Sequence, residues 1–423
     1  MSFLMTTNKL DVVILGGGAI GLCSAYYLWR NGASVVVVDK GEMGHGCSLH
    51  NAGYVSPSHF IPLAAPGVFT QGLKWMFRPT SPLYIKPRLN LDFLSWAWKF
   101  ARACDERVAN RAAPFLLQLL LDSSDLMKDL ALLQGMQFDL TNRGITMLYL
   151  SERGKESLRH EHDFADKMGL DSRMVNQSQL RELDPRIEFR AAGGWHIPID
   201  SHLVPATFVK NLSDFLVNQG VILRRFEEFK GFDTSDGRIV AVHTGQESLN
   251  ADEFILATGA WSPGLVQNLG IKMYLEAGKG YSATFKNPKV KPSRPYILTE
   301  RRVAVTPFSD SLRFAGTMEI AGIDLSINKP RVEAILNAIP LYFGNVERPE
   351  AKSGELWGGM RPVTPDGLPY VGRFRQYPNL IAATGHAMLG ISLSAVTGKL
   401  VSEIVASKKP SHDLLLLNPN RFD

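Results

Sequence analysis

The first apolar run of the chain, Val12-Val-Ile-Leu15, is short, unbroken and hydrophobic at every position. Such a run reads as a parallel strand buried on both faces. A second run of the same kind, Val35-Val-Val-Val38, follows a helical stretch (19–31) that stops at Gly32. The pattern predicts a βαβ unit within the first 40 residues. Residues 91–133 look helical, 144–150 and 193–199 read as strand-containing, and a helix over 205–219 leads into a strand at 221–225. A meander then closes on the apolar strand that ends Ile255-Leu-Ala-Thr-Gly259. Further strands are predicted at 279–285, 303–307 and 312–317. From residue 354 the chain reads as loop, strand (380–383), glycine turn and a final helix over 391–407.

The glycines give the first βαβ unit its chemistry. Gly16, Gly18 and Gly21 form G-x-G-x-x-G directly after the strand. The first permits a sharp turn, the second lets backbone approach a pyrophosphate, and the third lets helix and strand pack closely. Ala19 and Ile20 then open a helix whose free N–H groups and positive end face the phosphates. Asp39 ends the second strand, where a carboxylate accepts from ribose hydroxyls, and Lys40 follows it. Thr258 and Gly259 form a small-residue turn of the sort that passes close to a bound dinucleotide. Gly385, His386, Gly390 and Ile391 make another strand–turn–helix start, a second helix end for an anion. Together these turns point to a flavin domain rather than a simple nicotinamide domain.

At 423 residues, 45% hydrophobic and 21% charged, the chain is long enough for two cores. The 46 basic and 41 acidic residues leave a net charge of only +5, and no run of five like charges occurs. A nucleic-acid partner normally calls for a more clustered basic footprint, so none is expected. Cys23, Cys47 and Cys104 form neither a disulfide framework nor a metal-ligand cluster, a usage that suits a reducing compartment. Residues 1–10 lack the apolar centre of a secretory signal, and no run approaches the roughly 18 apolar residues of a membrane span. The expectation is a cytoplasmic protein, with peripheral association at the inner face of the cell membrane left open.

Residues 60–100 set Pro62, Pro66, Pro79, Pro82 and Pro87 among Phe69, Trp75, Phe77, Tyr84, Trp96 and Trp98. Prolines at this density predict short helices and turns lying over other structure. Packing between domains is the favoured reading; an apolar surface for a membrane or a quinone is the other.

The predicted architecture is α/β plus α+β. A Rossmann-like, glutathione-reductase-type FAD domain would comprise residues 1–90, 200–270 and 345–423. Residues 91–199 and 271–344 would form an inserted substrate domain on a mixed or antiparallel sheet.

Several motifs beyond the glycine loop carry a resemblance over nearly the whole chain. They are Asn51-Ala-Gly-Tyr-Val-Ser-Pro57, Ala64-Ala-Pro-Gly67, Lys74-Trp-Met76, Lys279-Gly-Tyr-Ser282, Gly359-Met-Arg-Pro-Val-Thr-Pro-Asp-Gly367 and Gly385-His386 through Gly390. With them the chain resembles the FAD-dependent D-amino-acid oxidase superfamily, nearest its bacterial D-amino-acid dehydrogenases. The resemblance implies FAD as cofactor and a small amino acid as substrate. The Cα–H would pass as hydride to flavin N5, the imine would hydrolyse to a 2-oxo acid, and a quinone or other acceptor would take the electrons. It also implies that Arg361 binds the substrate carboxylate, for which a guanidinium offers two parallel donors; a structural ion pair is the alternative. Tyr281 and Tyr54 would line the substrate pocket or pack beside it, and His386 would bind the flavin ring, tune it, or serve structure alone. Ser48, His50, Asn51, Ala52 and Gly53 fall in the loop expected beside the flavin. His50 matters most there, because the sarcosine and dimethylglycine dehydrogenase branch bonds a histidine covalently to FAD before a similar Ala-Ala-Gly. Alternative substrates within this chemistry are D-proline, hydroxyproline, sarcosine and glycine. Outside it stand a tRNA-modifying flavoprotein and a flavin-bound subunit of a larger complex.

Overall fold

A computed structural model describes residues 10–64, 83–86 and 88–423 of the chain. Of the motifs above, Ala65–Gly67 and Lys74–Met76 lie outside the described residues, as do Phe69, Trp75, Phe77 and Pro66, Pro79, Pro82 and Pro87.

The two valine- and leucine-rich runs form the centre of the first sheet. Strand Leu10–Leu15 lies between Val35–Val38 and Ser248–Leu256, parallel to both. Ile222–Arg224 extends the parallel array on one side and Leu380–Thr384 on the other. Tyr370–Arg373 closes that second side antiparallel, while Phe229–Ser235 and Arg238–Thr244 form a meander onto the first half of Ser248–Leu256. Helices Ala19–Arg30, Pro205–Asn218 and Ser394–Val405 bury one face of the sheet. The first and last of these approach so closely that a Cβ on Gly398 would lie 2.5 Å from the Cys23 carbonyl carbon.

The second sheet runs in the order Glu355–Val363, Glu276–Lys286, Ser311–Ile320, Val303–Pro307, Tyr296–Leu298, Ile145–Tyr149, Gly193–Ile197 and Arg173–Asn176. It is mixed: Tyr296–Leu298 runs parallel to Ile145–Tyr149, and Leu83–Ile85 runs parallel to the end of Ser311–Ile320. Helix Lys329–Leu336 covers one face through Val332 and Ile335. The opposite face meets the loop that follows Val35–Val38. This is the expected pairing of a Rossmann-like domain with a mixed-sheet domain.

Two elements cross the domain limits expected from sequence. Strand Glu355–Val363 belongs to the second sheet, although 345–423 was grouped with the cofactor domain. Helix Glu106–Ala131 packs on Ser394–Val405 in the first domain, where Ser123 Oγ accepts from the Val396 N–H. Both reflect long-range packing that local periodicity does not encode.

The described part of the aromatic segment packs inward on one face only. Trp96 and Phe100 on helix Leu91–Ala103 are buried and stacked, and Trp96 Nε1 donates to Val363 O in the second sheet. Leu91, Leu94 and Trp98 face solvent. No helix among the described residues is long and apolar enough to cross a membrane.

Candidate functional site

The three turns singled out in the sequence leave the carboxyl ends of three adjacent parallel strands, Leu10–Leu15, Ser248–Leu256 and Leu380–Thr384. Ligands of open α/β sheets bind at that edge. Gly16 adopts φ +105°, and a Cβ there would stand 2.4 Å from Ala257 O. The N-terminal loop and the Thr258–Gly259 turn therefore touch directly. A Cβ on Gly21 would lie 1.9 Å from Gly16 O, so helix Ala19–Arg30 can start beneath the turn only with glycine there.

Gly18 is the N-cap of this helix and gives it no side-chain cap; Ser48 Oγ accepts from the Ala19 N–H at 3.0 Å. The remaining first-turn donors suit a pyrophosphate. Asp39 is held by the loop itself, its two carboxylate oxygens accepting from Gly17 N (2.7 Å) and Gly41 N (2.9 Å). Each oxygen keeps a further lone pair for a ribose hydroxyl. Lys40 places its ammonium 4.5 Å from the Trp261 ring centroid. Thr258 and Ser262 share a hydrogen bond, and Gly259 takes the left-handed φ of +58°. This cradle fits a dinucleotide.

The loop from Ser48 to Gly53 is fixed between the two sheets. Asn51 Oδ1 accepts from Gly53 N, and Ala52 O accepts from Thr306 Oγ1 in the second sheet. The main tie is Arg313, which sequence reasoning passed over. Its Nη1 donates to Leu49 O (3.1 Å) and Asn51 O (2.7 Å), the carbonyls on either side of His50, and its Nε donates to Thr284 Oγ1. Burial brings this guanidinium down to about 10, so it remains charged at neutral pH. His50 itself stacks on Trp357, with ring centroids 5.0 Å apart and planes 19° apart. Its Nδ1 is buried without a hydrogen bond, and Glu355 stands 3.9 Å away. Burial, then the Arg313 charge, holds the imidazole below its ordinary pKa.

Arg361 lies on strand Glu355–Val363, two residues beyond Gly359. Its guanidinium rests flat over Gly280 of the neighbouring strand, where a Cβ would meet Nη1, Cζ and Nη2 at 2.2–2.3 Å. Nη1 donates to Thr317 O, from a residue at φ +68°, a rare conformation for a β-branched side chain. Among the described residues no carboxylate pairs with Arg361. Burial lowers its pKa, opposed by Cys47. Cys47 donates its thiol to Met360 O, and burial pushes it up to about 11, so it stays protonated.

Other expected site residues fall elsewhere. Tyr281 follows Gly280 and so points to the opposite face of the sheet. It is fully buried there, its hydroxyl donates to Glu319 Oε2, and Glu319 pairs with Arg331. Burial and Glu319 together raise its pKa, so the phenol stays neutral. This arrangement puts Tyr281 on the sheet face opposite Arg361, the packing alternative of the two expected for it. Tyr54 is buried between loop and sheet and donates to Tyr296 O, which leaves packing as its visible role. His386 Nε2 bonds Thr397 Oγ1 inside the first domain, and burial depresses its pKa to about 3. It is a neutral ring pinned to the last helix. That helix starts at Ser394 rather than at Ile391, which is itself in the core. Gly385 holds the preceding turn at φ +83°, and Gly390 has open space where its Cβ would be.

Known proteins resemble this chain along nearly its whole length. The family model described as DAO, FAD dependent oxidoreductase, matches residues 11–404. A D-amino acid dehydrogenase of Granulibacter bethesdensis is 29% identical over 412 residues, covering 96% of this chain and 97% of that protein. One from Xanthobacter autotrophicus is 29% identical over 423 residues, covering 98% and 99%. Among solved structures, glycine oxidase from Geobacillus kaustophilus superposes with a TM-score of 0.78 at 22% identity, covering 98% of this chain and 99% of its own. L-proline dehydrogenase from P. horikoshii gives 0.73 at 18% identity, covering 98% of each chain.

Proposed function

Given that this chain belongs to the DAO family of FAD-dependent oxidoreductases, we propose that it oxidises D-amino acids to 2-oxo acids and ammonia. The observation that carries the reading is Arg361, a half-buried guanidinium with no carboxylate partner among the described residues. A buried charge is costly unless paired, and a bidentate acid is the natural partner of an arginine. The specific substrate class follows the two curated relatives.

Bound FAD supplies the two-electron acceptor for the Cα–H bond. The chain supplies position. Arg361 holds the carboxylate and so supplies one of the contacts that orient Cα. No acid or base is needed beyond loss of the ammonium proton, which desolvation in the pocket favours. Water then hydrolyses the released imine. The acceptor that would reoxidise the bound cofactor is proposed as a quinone or another oxidant.

The test is anaerobic mixing of the purified protein with D- and L-amino acids, both prolines and 4-hydroxyprolines, glycine and sarcosine. D-substrates are expected to bleach the flavin, and a soluble quinone to restore its colour faster than oxygen does. Bleaching by L-amino acids, glycine or sarcosine alone would keep the amine chemistry and overturn the substrate. Bleaching by dithionite alone would remove the amino-acid reading.

A second reading concerns how the cofactor is held. His50 presents a buried Nδ1 that makes no hydrogen bond, with Glu355 3.9 Å away, on a ring held below its ordinary pKa, the form from which a covalent bond to FAD would run. With such a bond, the yellow colour stays in the pellet after acid precipitation. Complete release into the supernatant sinks it.

A further inference from the structure

Two planar side chains lie side by side on one face of the second sheet. Gly280 and Gly359 are direct partners across strands Glu276–Lys286 and Glu355–Val363. The guanidinium of Arg361 fills the place of a Gly280 Cβ, while the Trp357 indole fills that of Gly359, with Cη2 at 1.7 Å and Cζ2 at 2.2 Å. Partnered Cβ positions are about 5 Å apart, so the benzo edge of the indole borders the guanidinium. On the other flank Met318 Sδ lies 4.0 Å from Arg361 Nη1. His50 stacks on the indole and holds it against the sheet. An acid seated on Arg361 thus has a thioether on one side and an indole edge on the other. Glu355, the acidic group beside this wall, stands by His50 with its side chain 61% exposed. Arg313 bonds Thr284, four residues along the strand from Gly280, roughly 13 Å away at the strand rise. Among the described residues, a charged side chain on the ligand would find no counter-charge between Met318 and Trp357.

We propose that Trp357 is the specificity-determining residue of this site, limiting it to amino acids with short, uncharged, apolar side chains. The inference rests on Arg361 as the carboxylate anchor. The indole sets the size limit because it occupies the volume into which a longer side chain would extend. His50 fixes the limit by keeping the indole flat.

The experiment compares wild type with Trp357→Phe and Trp357→Leu, reading kcat/KM for D-alanine and D-phenylalanine and the flavin content of each protein. A pocket gains or loses about tenfold or more per methylene-sized change. Both variants should therefore raise the D-phenylalanine to D-alanine ratio about tenfold or more, Trp357→Leu by the larger factor. A ratio within twofold of wild type at full flavin content overturns the proposal, as does loss of flavin from both variants, which would make Trp357 a cofactor residue. Binding of straight-chain carboxylates from acetate to hexanoate, followed by flavin absorbance, separates this inference from the substrate reading. Tightest binding of the short acids by wild type and of the longer ones by the variants supports the wall even if no amino acid bleaches the flavin. Equal chain-length dependence in all three proteins overturns it.

Discussion

Gly21→Ala should yield a folded protein purified almost free of flavin. The added Cβ would stand 1.9 Å from Gly16 O, a backbone atom that cannot rotate away. Either helix Ala19–Arg30 shifts outward or the Gly16 turn opens, and both move the N–H groups that suit a pyrophosphate. Overpacking of this kind costs typically about 1–3 kcal/mol, which most domains survive. The cofactor pays more, because the helix end and the turn must act together on the same phosphates. The expected loss of FAD affinity is at least about a hundredfold, some 3 kcal/mol. The control is Gly32→Ala at the other end of the same helix. It has φ +91° but nothing within 4 Å of its Cβ, so it strains the backbone without touching the cradle. Flavin-to-protein ratios and far-ultraviolet circular dichroism decide the matter. Full flavin occupancy in Gly21→Ala, or equal loss in both variants, contradicts the steric account.

That cradle was legible because it is local. Strand, turn, helix and second strand follow within 40 residues, and each glycine performs its task against neighbours a few positions away or on the adjacent strand. The Arg361 motif was noticed through a family resemblance, whereas the contacts that hold its guanidinium, Gly280 and Thr317, lie on other strands. The side taken by Tyr281 was not legible, because strand Glu276–Lys286 is buried on both faces and shows no alternation to say which residues face which side. A register shift between Lys279 and Tyr281 against the next strand obscures it further. His386 was read as binding or tuning the flavin ring or serving structure alone, and the partner that fixes its Nε2, Thr397, lies eleven residues on, across a turn whose path the sequence does not specify. Arg313 left a usable signal: one arginine within Leu312-Arg-Phe-Ala-Gly316, an otherwise apolar stretch predicted as strand. A cation there needs acceptors, and the loop carbonyls around His50 supply them. The domain limits failed where Glu355–Val363 joins a sheet whose other strands lie far away in sequence.

Arg361→Met is expected to abolish most turnover while leaving the fold at least as stable as wild type. The two effects share one cause. In the protein without substrate the guanidinium is half-buried, with the Thr317 carbonyl but no carboxylate as partner among the described residues, so folding bears part of its desolvation without an ion pair in return. Methionine is flexible, apolar and unbranched, and can lie over Gly280 without that penalty. The loss falls on the substrate, whose carboxylate enters the same buried space and finds no donors. Removing one partner of a buried, hydrogen-bonded charge pair costs about 2–5 kcal/mol, or about thirtyfold to several-thousandfold in kcat/KM. Arg361→Lys should fall between, since it keeps the charge and loses the fork. An arginine serving as a structural ion pair behaves oppositely: its removal lowers Tm and leaves KM for the amino acid near wild type. Thermal unfolding and kinetics on the same preparations therefore separate the roles. A lowered Tm with intact kinetics would remove Arg361 from the binding site, and with it the observation on which the proposed substrate chemistry stands.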